Sequence, residues 1–167
     1  MFLSIKNLTA VVISFTLSAS APQNIIEIAP AEIEQLDFVL TEYDQRQIKC
    51  LAENSYHEAR GEPRLGQIAV SNVVLNRTED PRFPSDPCSV IKQRNKRGCQ
   101  FTWVRQGKKI RNWDVYREQL ELAREVYLSD NDITNGAQFY HAAYVSPSWS
   151  RVFTRTKRIG LHIFYRS

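Results

Sequence analysis

The chain has 167 residues, 43% hydrophobic and 24% charged, which excludes a disordered chain and favours one globular domain with accessory segments. A domain of this size buries a sizeable core without help from metal or disulfides. The formal charge is +4 and the pI is near 9.0, an excess compatible with nucleic acid, an anionic membrane or an anionic wall polymer, and too small to choose among them.

The chain opens with Lys6, an apolar run over residues 8–17, and the small residues Ala19, Ser20 and Ala21 before Pro22. This is the pattern of a secretory signal peptide over residues 1–21. The run is short for a bilayer span. The expected mature protein is exported to the periplasm or the extracellular wall, without stable membrane insertion. Residues 22–40 are acidic, carry Pro22 and Pro30, and read as a flexible segment; residues 41–167 read as the working domain.

A first helix is expected from near Asp44, with Gln47 as its capping-box partner. Ile48, Leu51, Ala52, Ser55, Tyr56 and Ala59 follow the i, i+3, i+4, i+7 pattern, and Gly61 and Pro63 end the helix. A second helix is expected over residues 65–76. Pro81, Pro84 and Pro87 stiffen the next loop, and Pro87 opens a short helix through Gln93. A further amphipathic helix spans residues 114–128, with Tyr116, Leu120, Ala123, Val126 and Tyr127 on its stripe. Asn135-Gly136 marks a turn before a strand at residues 137–141, and the tail at 159–165 reads as another strand. Helices dominate and strands are few, so the predicted class is α+β, a mainly helical single domain with a small β-sheet.

Three cysteines follow the export signal: Cys50, Cys88 and Cys99. An oxidising compartment permits one bridge. Cys50 lies in a helical stretch and reads as a small buried hydrophobe. Cys88 and Cys99 flank a basic loop and are the expected pair, although spacing does not determine connectivity.

Glu58 is the carboxylate with the most chemical promise. On the first helix it lies ~20° from Leu51 around the axis, at the edge of the buried face and near the C-terminus. Desolvation and the negative end of the helix dipole both favour its protonated form. A protonated Glu near neutral pH can supply the proton that a glycosidic leaving group needs. The same geometry also suits a buried Glu paired with an Arg for structure. Glu62, at i+4, is the second candidate acid or a structural carboxylate beyond the helix end. His57-Glu58 superficially resembles a zinc-protease helix, but position 61 is Gly where a second His is required. His57, His141 and His162 have no ligand-like spacing, so no metal and no cofactor are expected. Trp149 sits in a loop and is the aromatic best placed to meet a sugar face. The basic run at residues 92–97, with Lys108, Lys109 and Arg111, suits either a solvated surface or an anionic wall polymer.

The run Leu51-Ala52-Glu53-Asn54-Ser55-Tyr56-His57-Glu58-Ala59-Arg60-Gly61-Glu62-Pro63, followed by Gly66-Gln67-Ile68-Ala69-Val70 and Val74-Leu75-Asn76-Arg77, resembles the cell-wall hydrolases of the spore cortex-lytic (SleB) type. The resemblance continues through Asp80-Pro81-Arg82-Phe83-Pro84, Cys99-Gln100-Phe101-Thr102-Trp103, Gly136-Ala137-Gln138-Phe139-Tyr140-His141-Ala142, Trp149, and Ile159-Gly160-Leu161-His162-Ile163-Phe164-Tyr165. It implies a lysozyme-like α+β domain that works as a monomer on peptidoglycan glycan strands, with no nucleic-acid partner. The implied cut falls between N-acetylmuramic acid and N-acetylglucosamine, by lytic transglycosylation, with Glu58 as the single catalytic acid. Substrate contacts are implied at Tyr56, Gln67, Tyr140, His141, Trp149 and His162. Two departures stand out. His141-Ala142 replaces the Asn-Pro of many members, and the wall-binding repeats of the spore enzymes are not seen. Wall remodelling or lysis is therefore expected in place of spore germination. The rival readings are a hydrolytic muramidase, a His-metal wall peptidase or amidase, and a catalytically silent glycan-binding protein.

Overall fold

The protein is described as a computed structural model covering residues 39–95 and 98–167. The signal-peptide and flexible-segment readings, except for the last two residues of the latter, lie outside the described residues. Residues 39–167 form one compact unit. In chain order it contains α1 (Glu42–Ala59), α2 (Arg64–Thr78), α3 (Pro87–Lys92), β1 (Arg94–Asn95), β2 (Gly98–Cys99), α4 (Thr102–Arg105), α5 (Trp113–Tyr127), β3 (Phe139–Ala142), a 3-10 turn (Ser148–Arg151), β4 (Thr154–Ile159) and β5 (His162–Arg166).

Helix α1 is the central element and packs most extensively against α5, then against α2 and α3. All six predicted stripe residues, Ile48, Leu51, Ala52, Ser55, Tyr56 and Ala59, are buried. The helix begins two residues before the expected start. Thr41 is the N-cap and Asp44 completes the capping box, because Asp44 reaches back to the Thr41 amide at 3.1 Å while accepting the role expected of Gln47. Gln47 instead turns inward and accepts a hydrogen bond from the Cys88 amide at 3.0 Å. That contact seats the start of α3 on α1, within one turn of Cys50.

The consequence is a corrected disulfide. Cys50 pairs with Cys88, with their Cα atoms 5.2 Å apart, and Cys99 is free in β2. The expected Cys88–Cys99 bridge is excluded because Cys88 faces α1, not the β1–β2 hairpin. A residue read as a simple buried hydrophobe is thus half of a cross-link closing a 38-residue separation.

The tail also departs from expectation. Residues 154–166 form two strands, not one. Gly160, at φ +56°, turns β4 back onto β5. Only glycine adopts this left-handed backbone without penalty. The resulting sheet is antiparallel with order β3-β5-β4, and Tyr140 opposes Phe164 while Ala142 opposes His162. β4 escaped sequence reading because its pattern, Thr154-Arg155-Thr156-Lys157-Arg158-Ile159, is mostly exposed and carries no apolar alternation.

Candidate active site

Glu58 lies in the last turn of α1, partly buried. Burial pushes its carboxyl above the ordinary value, while a hydrogen bond from Tyr140 and the positive charge of Lys108 pull it back. The Tyr140 hydroxyl donates to Glu58 Oε2 at 3.3 Å. Burial and the neighbouring carboxyl hold the Tyr140 phenol well above its usual range, so it stays a donor at any ordinary pH. Tyr140 comes from β3, 82 residues away in sequence. Only the packing of the sheet on the helices brings the two together.

Glu62 follows a different logic. It lies in the α1–α2 connection, with its amide donating to Ala59 O at 2.9 Å. Its Oε2 accepts the Leu161 amide at 2.9 Å, and Oε1 is 3.7 Å from His162 Nδ1. Two glycines make room for it. A Cβ on Gly160 would run into the carboxylate, and one on Gly66 would come within 2.9 Å of Glu62 Cβ. The carboxylate thus ties the β4–β5 turn to the base of α2. His162 is buried and its imidazole is pushed below its usual pKa, chiefly by desolvation, with Glu62 opposing. Its ring meets Tyr140 edge-on at 5.1 Å, so the Glu62 clasp and the Glu58 acid share one wall of aromatic side chains.

A buried polar chain supports the same corner. Ser55 Oγ donates to Gln119 Oε1 at 2.5 Å, Gln119 Nε2 to Gln67 Oε1 at 3.0 Å, and Gln67 Nε2 to Glu62 O at 2.9 Å. Gln67 therefore acts on the backbone of the loop that follows Glu58. Ser55 and Gln119 were missed as site supports. The available signal was polarity on a buried stripe: Ser55 sits among apolar residues, and a fully buried amide needs a partner.

Beneath Tyr140 lies Arg77, buried at 2% exposure. Its Nε donates to Gln138 O at 2.7 Å, and its guanidinium lies over Phe83, Phe101 and Phe139 at 5.3–5.7 Å. Desolvation lowers its pKa to about 10, so it remains a cation, and its field acts on the Tyr140 phenol. The cation compensates burial through the ring faces, with no salt bridge among the described residues.

The remaining expected contacts divide. Tyr56 is buried, and its hydroxyl accepts the Arg111 and Asn112 amides at 3.2 and 3.1 Å. It anchors the 106–112 loop on α1. His141 points to the opposite face of the sheet from Tyr140. There its Nε2 lies 3.0 Å from the Tyr165 hydroxyl and its Nδ1 2.9 Å from Ala142 O. Trp149 packs among Phe139, His141, Phe153 and Tyr165. It is partly buried in the 3-10 turn and does not stand free as the sequence led us to expect. His57 stacks on Trp103 at 4.5 Å. The three histidines thus occupy separate places. No group of three or more His, Cys, Asp or Glu side chains among the described residues is arranged to hold a metal ion.

The small α+β domain thus holds the partly buried Glu58 carboxyl against the Tyr140 phenol, and the Glu62 carboxylate against the β4–β5 turn. Residues 61–165 match the cell wall hydrolase family, and the chain belongs to that family. The matched segment includes Glu62, Gln67, Tyr140, His141, Trp149 and His162 and begins three residues after Glu58. The chain is 36% identical to the spore cortex-lytic enzyme of Halalkalibacterium halodurans over 140 residues, covering 80% of this chain and 39% of that protein. It is 34% identical to the spore cortex-lytic enzyme of Bacillus subtilis over 148 residues, covering 81% and 44% respectively. It therefore spans less than half the length of these curated relatives. Among solved structures it is similar to the catalytic domain of the germination-specific lytic transglycosylase SleB from Bacillus anthracis. The TM-score is 0.61 at 31% identity, covering 77% of this chain and 100% of that one. The catalytic domain of SleB from Bacillus cereus is similar, with a TM-score of 0.58 at 31% identity, covering 77% and 95%. The lysozyme-like α+β class read from the sequence agrees with these structures.

Proposed function

We propose that this chain cuts peptidoglycan glycan strands between N-acetylmuramic acid and N-acetylglucosamine by lytic transglycosylation, with Glu58 as the catalytic group. The observation that carries the reading is the isolation of Glu58: its carboxyl is desolvated, held by Tyr140, and has a pKa above the ordinary value. The nearby Glu62 is already committed to the Leu161 amide and His162, so one carboxyl must do the proton work twice. Glu58 first gives its proton to the glycosidic oxygen, and the C1–O bond breaks. The resulting carboxylate then takes the proton of the muramic acid C6 hydroxyl as O6 bonds to C1. The products are a free hydroxyl and a 1,6-anhydro ring; no water is consumed, and Glu58 ends protonated as it began. This single-carboxylate sequence differs from the paired-carboxylate schemes of ordinary glycosidases.

Similarity to the spore cortex-lytic enzymes and to a lytic transglycosylase catalytic domain supports the reading. The proposed working unit is a monomer whose catalytic domain runs over residues 41–167. Its substrate lies outside the cytoplasmic membrane, in keeping with the signal pattern of residues 1–21. Among the described residues no helix is long and apolar enough to cross a membrane. The direct test is digestion of purified peptidoglycan with mass spectrometry of the products. Anhydromuropeptides are the expected result. Hydrated reducing muramic ends instead identify a hydrolytic muramidase.

A further inference from the structure

Two cavities flank the C-terminal turn of α1 and share His57, Lys108 and Lys109. The first, about 320 Å³, is completed by Tyr56, Arg60 and Arg111. Four cationic side chains thus surround one concave surface. All four are exposed, and none forms a salt bridge among the described residues. Glu53 lines the neighbouring cavity of about 370 Å³ without pairing to them. Like charges gathered around a cleft repel one another and focus a positive potential that an anionic ligand relieves.

The cations are presented by built structure. The buried Tyr56 phenol holds the backbone of Arg111 and Asn112. Arg60 lies over the Tyr56 ring at 4.8 Å, and its Nη1 donates to Tyr56 O at 3.1 Å. The loop carrying Lys108, Lys109 and Arg111 is therefore fastened to the same helix turn that carries Glu58. His57 is pushed below its usual pKa by desolvation and then by Arg60 and Lys108. Lys108 also acts on Glu58, so the positive field of the cleft reaches the carboxyl proposed as the acid.

We propose that this cleft is a subsite for the carboxylates of the peptidoglycan stem peptide, so that peptide-bearing strands are the preferred substrate. The inference rests on the lytic transglycosylase reading. In a peptidoglycan strand the muramic acid next to the cut carries the stem through its lactyl group, and the stem carboxylates are the anions nearest to the bond that breaks. Carboxylates are the expected partners of Arg60 and Arg111, whose planar guanidinium groups donate paired hydrogen bonds to them.

The test has a binding arm and a turnover arm. In the first, the protein is titrated by calorimetry with the stem tetrapeptide at two salt concentrations. In the second, anhydromuropeptide release is compared on intact strands and on strands whose peptides have been removed by an amidase. Both are repeated with the Lys109→Glu/Arg111→Glu variant, and with Lys109→Gln/Arg111→Gln should charge reversal unfold the loop. Expected are tetrapeptide binding that weakens with salt, and a KM roughly tenfold lower on peptide-bearing strands. Both effects should vanish in the variant while turnover of stripped strands persists. Equal KM on the two substrates, equal loss on both in the variant, or binding of poly(glycerol phosphate) but not of the tetrapeptide overturns the subsite. The two readings fail separately. Tetrapeptide binding without anhydro products removes the transglycosylase and keeps the subsite, whereas anhydro products without any peptide effect do the reverse.

Discussion

On one face of the three-stranded sheet Tyr140, His162 and Phe164 press against the helices; on the other, Phe139, His141 and Tyr165 gather Trp149 and Phe153. Both faces are rich in aromatics with polar tips. The difference lies in where those tips go. Tyr140 donates to Glu58, and His162 faces Glu62, so the helix-side face meets two carboxylates. On the opposite face, the His141 ring bonds within the sheet, to Tyr165 and Ala142. Neighbouring positions in one strand are thus assigned to separate tasks by the two-residue alternation of strand side chains. The helix-side face meets the carboxyls of Glu58 and Glu62, while the other binds the 3-10 turn to the sheet.

The largest expected effect tests the helix-side face at its centre. Glu58→Gln should lower anhydromuropeptide release by about 10²–10⁴-fold, because Gln keeps the shape but cannot cycle a proton. Stability should move the other way. Burial raises the folded-state pKa of Glu58 above its ordinary value of 4.5. The folded state therefore binds more protons than the unfolded state between those two values, and the stability contribution of the protonated form is lost as pH rises through that window. Thermal melts should show Glu58→Gln at or above the wild type at neutral pH, with the difference gone below pH about 4. Full activity in the variant shifts the acid to Glu62.

Tyr140→Phe comes next, with a loss of about tenfold in kcat, one hydrogen bond to a charged group. The Tyr140 bond lowers the Glu58 pKa, so its removal should raise that pKa. The alkaline limb of the pH–rate profile should then move to higher pH. An unmoved limb would separate Tyr140 from the acid and erase the contrast between the two faces.

Gly160→Ala probes the Glu62 clasp. The left-handed backbone alone costs about 1–2 kcal/mol, and the added Cβ displaces the Glu62 carboxylate. Denaturant titration should therefore show a loss above that range, accompanied by slower turnover as the wall behind Tyr140 loosens. Smallest for catalysis is Trp149→Ala. A loss of about 2 kcal/mol is expected, less than a fully buried Trp gives, with the rate of anhydro release per folded molecule unchanged. A collapse of activity with stability intact would place Trp149 at the substrate and break the comparison outright.

Much of the helical scaffold was legible because it rests on local rules. The α1 stripe from Ile48 to Ala59, the stop at Gly61 and Pro63, and Pro87 opening α3 all follow from helical periodicity and backbone restriction. Glu58 could be placed at the edge of a buried face from angular position alone. The Cys50–Cys88 bridge could not, because connectivity depends on how α3 docks on α1. Strand β4 was equally hidden, since an exposed edge strand of basic and Thr residues carries no burial pattern.

By itself, then, the sequence determined helices α1, α2, α3 and α5, though not the single turn of α4, together with the family and the carboxylate at the end of α1, since these depend on contacts within a few residues or on motifs in order. Tertiary structure alone decided that Tyr140 meets Glu58, that Glu62 clasps Leu161 and that His141 and Trp149 turn away. Those outcomes depend on strand register and on the Gly160 turn, which set the facing of side chains 80 to 100 residues apart in the chain.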